Sequence, residues 1–213
     1  MNGAGRRPPA RFHRERPQRE PYSRVLIVAE GQKTEAAYFT GVAKHYRLST
    51  ANVVILGQGA DPTGVVREAV KLKRQEQRLG DAYDRVFCVF DRDGHATFEA
   101  ASRRASEMGI DLARSWPCFE YWLLLHFDFS RKPYVRTGTR SPCDECIRDL
   151  QGHMPHYRKA QHDVFPQLLD RLEQAKDRAA RAQNDVLATD ERNPSTEVHG
   201  LVDFLQRLKL PDG

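Results

Sequence analysis

Two acidic clusters, each closing an apolar run, hold most of the chemistry in this chain. The first run, Arg24-Val-Leu-Ile-Val-Ala-Glu30-Gly31, stops at a carboxylate. The second, Arg85-Val-Phe-Cys-Val-Phe-Asp91-Arg92-Asp93-Gly94-His95, stops at a pair of them. Residues i and i+2 of an extended segment point to one side, so Asp91 and Asp93 can share one cation or hold two. In open α/β sheets the functional crevice lies outside the carboxyl ends of the strands. Glu30, Asp91 and Asp93 gathered there repel one another unless a cation sits between them. Such hard oxygen ligands suit Mg²⁺, with Mn²⁺ as a substitute. The expected chemistry is metal-dependent phosphoryl transfer. The plainer alternatives are helix capping by Asp93 and an ion pair from Glu30 to Lys33 or Arg92.

The neighbours of these carboxylates extend the reading. Gly31 permits a tight turn that leaves Glu30 at the crevice. Lys33 precedes a helix N-terminus, where backbone N–H groups and a cationic side chain favour anions. Lys33 and Arg92 are therefore the candidate phosphate-binding pair. Glu35, in the first turn of that helix, suits the helix dipole and is a secondary site candidate. Glu120 and His126 interrupt the apolar segment Trp116-Pro-Cys-Phe-Glu-Tyr-Trp-Leu-Leu-Leu-His-Phe127. Glu120 starts a helix at the same sheet edge, which can bring it near Asp91. A single His126 on such a face reads first as a hydrogen-bonded core residue and second as a site residue. Cys143-x-x-Cys146 has metal-ligand spacing, with His153 and His156 downstream. The pattern is shorter than a usual zinc finger and falls on a predicted helix, so two reduced helix cysteines are the preferred reading. Asn193-Pro-Ser-Thr196 reads as a helix N-cap box. No Gly-x-Ser-x-Gly elbow, Walker A loop or Rossmann glycine fingerprint is present.

The elements that must position these groups follow from periodicity. Strands are predicted at 24–29, 52–56, 85–90 and, more weakly, 111–114. Helices are predicted between them at 35–46 with Thr34 as cap, from Asp61-Pro62 onward, and at 97–108 with Gly109 as stop. This alternation predicts βαβ units, a mostly parallel sheet and helices on both faces. Beyond residue 116 the chain reads as helical, at about 119–127, 141–151, 163–183 and 195–208. A basic loop (128–140) is expected to be mobile.

At 213 residues the chain is long enough for one sizeable core. The expected organisation is a disordered basic tail at 1–22 and one domain at 23–210, an α/β core to 116 followed by a helical extension. The net charge is +5, and seven arginines against two glutamates within residues 1–24 account for all of it. Such a tail can track phosphates or serve as a solvated leader. No run of about 18 apolar residues exists, and the N-terminus lacks an apolar signal core, so a cytoplasmic protein that does not enter membranes is expected.

Four ordered segments resemble the RloB-like family, whose core is similar to Toprim domains. They are Leu26–Phe39, Val89–His95, Pro117–Phe127 and Asn193–His199, with Tyr157-Arg-Lys159 as a weaker Tyr-x-Lys element. The resemblance covers about residues 22–208. It implies a Toprim-like Rossmannoid α/β fold, Glu30 as the acid/base residue, and Asp91 and Asp93 as Mg²⁺ ligands. It also implies a place in prokaryotic anti-phage defence, abortive infection or restriction systems, often beside an AAA/ABC-type ATPase. For Glu120, His126 and Asn193 it implies only family-specific importance. The expected function is a Mg²⁺-dependent nuclease acting on DNA or RNA. The alternatives are a non-catalytic subunit that binds nucleic acid or an ATPase, and a phosphatase or phosphotransferase acting on small nucleotides.

Overall fold

The structure, a computed structural model, describes residues 23–49, 53–92, 96–161 and 163–208. The basic tail and Asp93 lie outside the described residues. Strand β1 (Val25–Ala29) is buried along its whole length, as a central strand covered on both faces must be. Helix α1 (Thr34–His45), β2 (Val53–Gly57) and α2 (Pro62–Arg78) follow. Asp61 caps α2 by accepting the Gly64 N–H at 3.0 Å, and Pro62 occupies the first turn, where its missing N–H has no intrahelical partner. Then come β3 (Arg85–Asp91), α3 (Phe98–Glu107) and β4 (Asp111–Trp116).

The sheet order is β2-β1-β3-β4, all parallel, closed at one edge by a two-residue antiparallel strand β5 (Ser195–Thr196). The fold is α/β and Rossmann-like. Alternation along the strands splits the core into two layers. Leu26, Val28, Val86, Cys88 and Phe90 face α2 and α3 through Val65, Val66, Ala69, Phe98 and Ala101. Val25, Ile27, Ala29, Phe87 and Val89 face the opposite layer, which contains α1 and the C-terminal helices. There Tyr38 meets Phe39, Phe119, Trp122 and Phe165 edge-on at 5.3–6.3 Å between ring centroids, the arrangement that aromatic quadrupoles favour.

The C-terminal layer departs from the sequence expectation in several places. Helix α4 is confined to Glu120–Leu124, and α5 (Pro142–His153) starts at Ser141 with a full capping box. The long helix expected at 163–183 is divided into α6 (Val164–Leu168), a 3₁₀ turn (Leu169–Arg171) and α7 (Leu172–Thr189). Ser195–Thr196 pairs with β4, and only then does α8 (Val198–Arg207) begin. A two-residue strand has no periodicity to reveal it. The basic loop expected to be mobile is tied down. Tyr134 is buried, its OH donates to Asp149 at 3.0 Å, and Arg131 bonds the carbonyls of Glu191 and Pro194.

The cysteines also differ from expectation. Cys143 does not pair with Cys146. It forms a disulfide with Cys118, which precedes α4, and Cys146 is a buried free thiol. Spacing along one helix cannot show a partner 25 residues away in the chain. Among the described residues no helix is long and apolar enough to cross a membrane.

Candidate active site

The β1–β3 pairing puts the two sequence-predicted acids side by side. Its register sets Ala29 against Val89, so Glu30 and Asp91 leave adjacent strands at the same edge. The Glu30 N–H donates to Val89 O at 2.8 Å, and the Asp91 N–H donates to Glu30 Oε2 at 3.1 Å. The Glu30 carboxylate is thus folded back over the end of β3. The turn after it is packed too tightly for side chains. The Glu35 carboxylate lies directly over Gly31, in the space a Cβ would fill. A Cβ on Gly57, at the end of β2, would stand 2.5 Å from Gln32 Cα and 2.7 Å from Gly31 O.

The C-terminal layer supplies the rest. Glu120, at the first position of α4, is only 2 % exposed. Its Oε1 accepts from the Tyr157 OH at 3.0 Å, and its Oε2 lies 3.6 Å from Cys143 Sγ. The segment after α5 is fastened to α1: the Ala160 N–H donates to Thr34 Oγ1 at 2.9 Å. Thr34 is therefore not the cap expected from sequence. Lys33 holds the cap position of α1, and the Thr34 hydroxyl holds a loop 126 residues away. That loop carries Lys159 to the site.

Together Glu30, Glu35, Asp91, Glu120, Lys33 and Lys159 line an open cavity of about 550 Å³ at the carboxyl edge of the sheet. Asp61 is also on the lining, and carboxylates crowded into one partly dry cavity disfavour their own ionisation. The Asp91 acid is held well above the usual carboxylate range, first by burial, then by the charges of Glu35, Glu120 and Glu30. Glu35 is pushed up to about 7, first by burial, with Glu120 and Glu30 adding to it. The buried Asp91 Oδ1 has no hydrogen-bond partner among the described residues. A hard divalent cation fits this donor set, since it would neutralise the repulsion and take up the orphaned oxygen.

The sign of the Glu35 shift makes a prediction. Its folded value lies above the ordinary 4.5, so the folded protein holds this proton more tightly than the unfolded chain. The stability this contributes is complete below the ordinary value and is lost as pH rises through about 7. Without divalent metal, the Tm of wild type should therefore fall relative to Glu35→Gln across that window, with the gap constant above it. Metal affinity should rise over the same window, because binding needs the carboxylate ionised. Thermal melts of both proteins over a pH series, with and without Mg²⁺, check both statements.

The other sequence candidates go elsewhere. Asp93 lies outside the described residues. The Arg92 guanidinium sits over the rings of Phe98 and Trp116, 5.3 and 5.2 Å from their centroids, away from the cavity lining. Its aromatic partners are 6 and 24 residues away, so spacing alone assigns it to phosphate. His126 is fully buried, with Nδ1 3.1 Å from Trp122 O, and burial pushes its imidazolium down to about 4. It is a neutral core residue. Asn193 bonds both backbone groups of Tyr134, at 3.1 and 2.8 Å, and closes the loop between α4 and α5. Lys159 and Tyr157 are the site residues that chemistry-based reading missed; their one signal was the short Tyr-x-Lys element.

A family model described as RloB-like protein matches residues 25–205, which include every residue of the cavity. The chain belongs to the RloB-like family. No curated protein matches it. The match to the RloB-like model begins at the first residue of β1 and ends inside α8, so the C-terminal layer is as much a part of this RloB-like domain as the sheet.

Proposed function

We propose that this RloB-like chain is a divalent-metal-dependent nuclease that hydrolyses phosphodiester bonds in DNA or RNA. One observation carries the reading. Five carboxylates from four separate stretches of chain, Glu30 and Glu35, Asp61, Asp91 and Glu120, converge with two lysines in one open cavity at the carboxyl edge of a parallel sheet. Glu30, Asp91, Glu35 and Glu120 would hold Mg²⁺ or Mn²⁺. A bound cation of this kind neutralises charge on phosphoryl oxygens and acidifies a bound water. Lys33, at the cap position of α1, and Lys159, next to the residue that bonds Thr34, bind and orient the phosphate. Glu30, fixed by the Asp91 N–H, is placed to take a proton. The Toprim-like character of the core and a role in anti-phage defence beside an AAA/ABC-type ATPase rest on the family resemblance.

The test is incubation of purified protein with plasmid DNA, single-stranded DNA, total RNA and tRNA, in Mg²⁺, Mn²⁺ or chelator. Metal-dependent cleavage of one polymer supports the reading, and hydrolysis of free nucleotides alone replaces it with a phosphatase. Lys159→Ala should weaken substrate binding by about five- to tenfold, the loss of one charge-assisted hydrogen bond at a wet site. It should appear in KM and in salt dependence, with metal affinity unchanged.

A further inference from the structure

We propose that the reduced protein binds a soft divalent metal, of the Zn²⁺ class, through Cys118, Cys143 and Glu120. This site shares Glu120, and no other ligand, with the hard-cation cluster, and it does not depend on the nuclease reading. The ligand atoms of the three residues all lie within 4.8 Å of one another, and all three side chains are buried. They come from two elements locked together by packing: Cys118 and Glu120 flank the start of α4, and Cys143 is in the first turn of α5. Two thiolates and one carboxylate are a borderline-soft donor set, suited to Zn²⁺ and disfavoured by Mg²⁺. In tetrahedral coordination with metal–sulfur bonds of about 2.3 Å, neighbouring ligand atoms stand about 3.5–3.8 Å apart. Cys143 Sγ and Glu120 Oε2 are already 3.6 Å apart.

The orientation of Glu120 is the independent sign of a ligand. Tyr157 satisfies Oε1, but Oε2 faces the sulfur of Cys143 and has no other hydrogen-bond partner among the described residues. In the disulfide that sulfur carries no proton. A carboxyl oxygen of a side chain 2 % exposed is thus aimed at an atom that can give it nothing, a costly arrangement for a buried polar group. A metal held between the two sulfurs and Oε2 removes that cost. The disulfide and the metal site exclude each other, since they use the same two sulfurs. A small dithiol converts one to the other: it reduces the Cys118–Cys143 bond to two thiols and itself becomes a disulfide. Metal entry then releases the two thiol protons to solvent.

Co²⁺ is the probe, because thiolate ligands give it an intense near-ultraviolet charge-transfer absorption and tetrahedral sites give it strong visible bands. The full chain is pretreated with dithiol, freed of excess reductant under inert gas, and titrated with Co²⁺ beside untreated protein. The expected result is a sulfur-to-cobalt band that saturates at one Co²⁺ per chain and is displaced by Zn²⁺. The band should be absent from the disulfide form, lost in Cys118→Ser and Cys143→Ser, and retained in Asp91→Asn. Absence of a thiolate band in the reduced wild type overturns the proposal without recourse to any variant. A band that survives both serine substitutions also overturns it, because it would arise from Cys88 or Cys146. Retention in Asp91→Asn separates this site from the hard-cation cluster, so the failure of either leaves the other standing.

Discussion

Asp91→Asn should abolish metal-dependent cleavage, a loss of more than about 100-fold, while raising the Tm of the metal-free protein. The two effects share one cause. Replacing even an outer partner of a metal ligand typically costs about 10–100-fold, and Asp91 sits at the centre of the carboxylate cluster, so its loss should exceed that range. The same substitution removes one of the mutually repelling charges. Asp91 is driven toward its protonated form by burial and by Glu35, Glu120 and Glu30, and each pH unit of such a shift is worth about 1.4 kcal/mol of folding free energy once the group must ionise. The metal-free variant should therefore melt about 2–4 °C higher for every kcal/mol of repulsion relieved. Wild type should gain Tm on adding Mg²⁺ or Mn²⁺, as any ligand that binds only the folded state requires, and the variant should not. Melting curves and the cleavage assay, run on the same preparations, check this. A variant that cleaves at the wild-type rate would falsify the site assignment.

Gly57→Ala should destabilise the protein by about 1–3 kcal/mol and weaken metal binding, although Gly57 carries no functional group. The added Cβ would meet Gln32 Cα and Gly31 O, both backbone, so no side-chain rotation relieves the clash. Either β2 parts from β1 or the Glu30–Gln32 turn moves, and the second route carries Glu30 with it. The control is Gly152→Ala on α5, where a Cβ meets nothing within 4 Å. There alanine should stabilise the helix by about 0.5–1 kcal/mol and leave metal affinity alone. Equal losses of Tm in the two variants would show that crowding at Gly57 is not the cause.

The parallel core was legible because β1 and β3 are unbroken apolar runs ending in acids, and because strands and helices alternate at the spacing that crossovers need. Glu30 and Asp91 could be read as neighbours for the same reason. Glu35 was legible first as a helix-dipole residue and only second as a site candidate, since its contact with the cavity depends on the turn at Gly31. Spacing alone set Arg92 beside the phosphate, and the positions of Arg92 and Asn193 depend on distant partners. One is drawn to rings on α3 and β4, and the other to the backbone of a loop 59 residues earlier. Lys159 was marked only by the short Tyr-x-Lys element, which does not say where it goes. Its position is set by Thr34, by Tyr157 and by the layer packing between them. Interactions between groups far apart in the chain leave no periodic trace, and most of the second wall of the site is made of them.

The Thr34–Ala160 hydrogen bond has a consequence for biosynthesis. Chains fold progressively as they leave the ribosome. By the time β4 has emerged, the four parallel strands, Glu30, Asp91 and Glu35 are all present, yet nothing closes the far side of the cavity. Tyr157, Lys159 and the anchoring Ala160 N–H arrive some 40 residues later, and β5 and α8 after them. A nascent or prematurely terminated polypeptide that ends before residue 160 therefore exposes the acidic strand ends without the groups that complete them. Only a translation product that extends past residue 160 contains every group that lines the cavity.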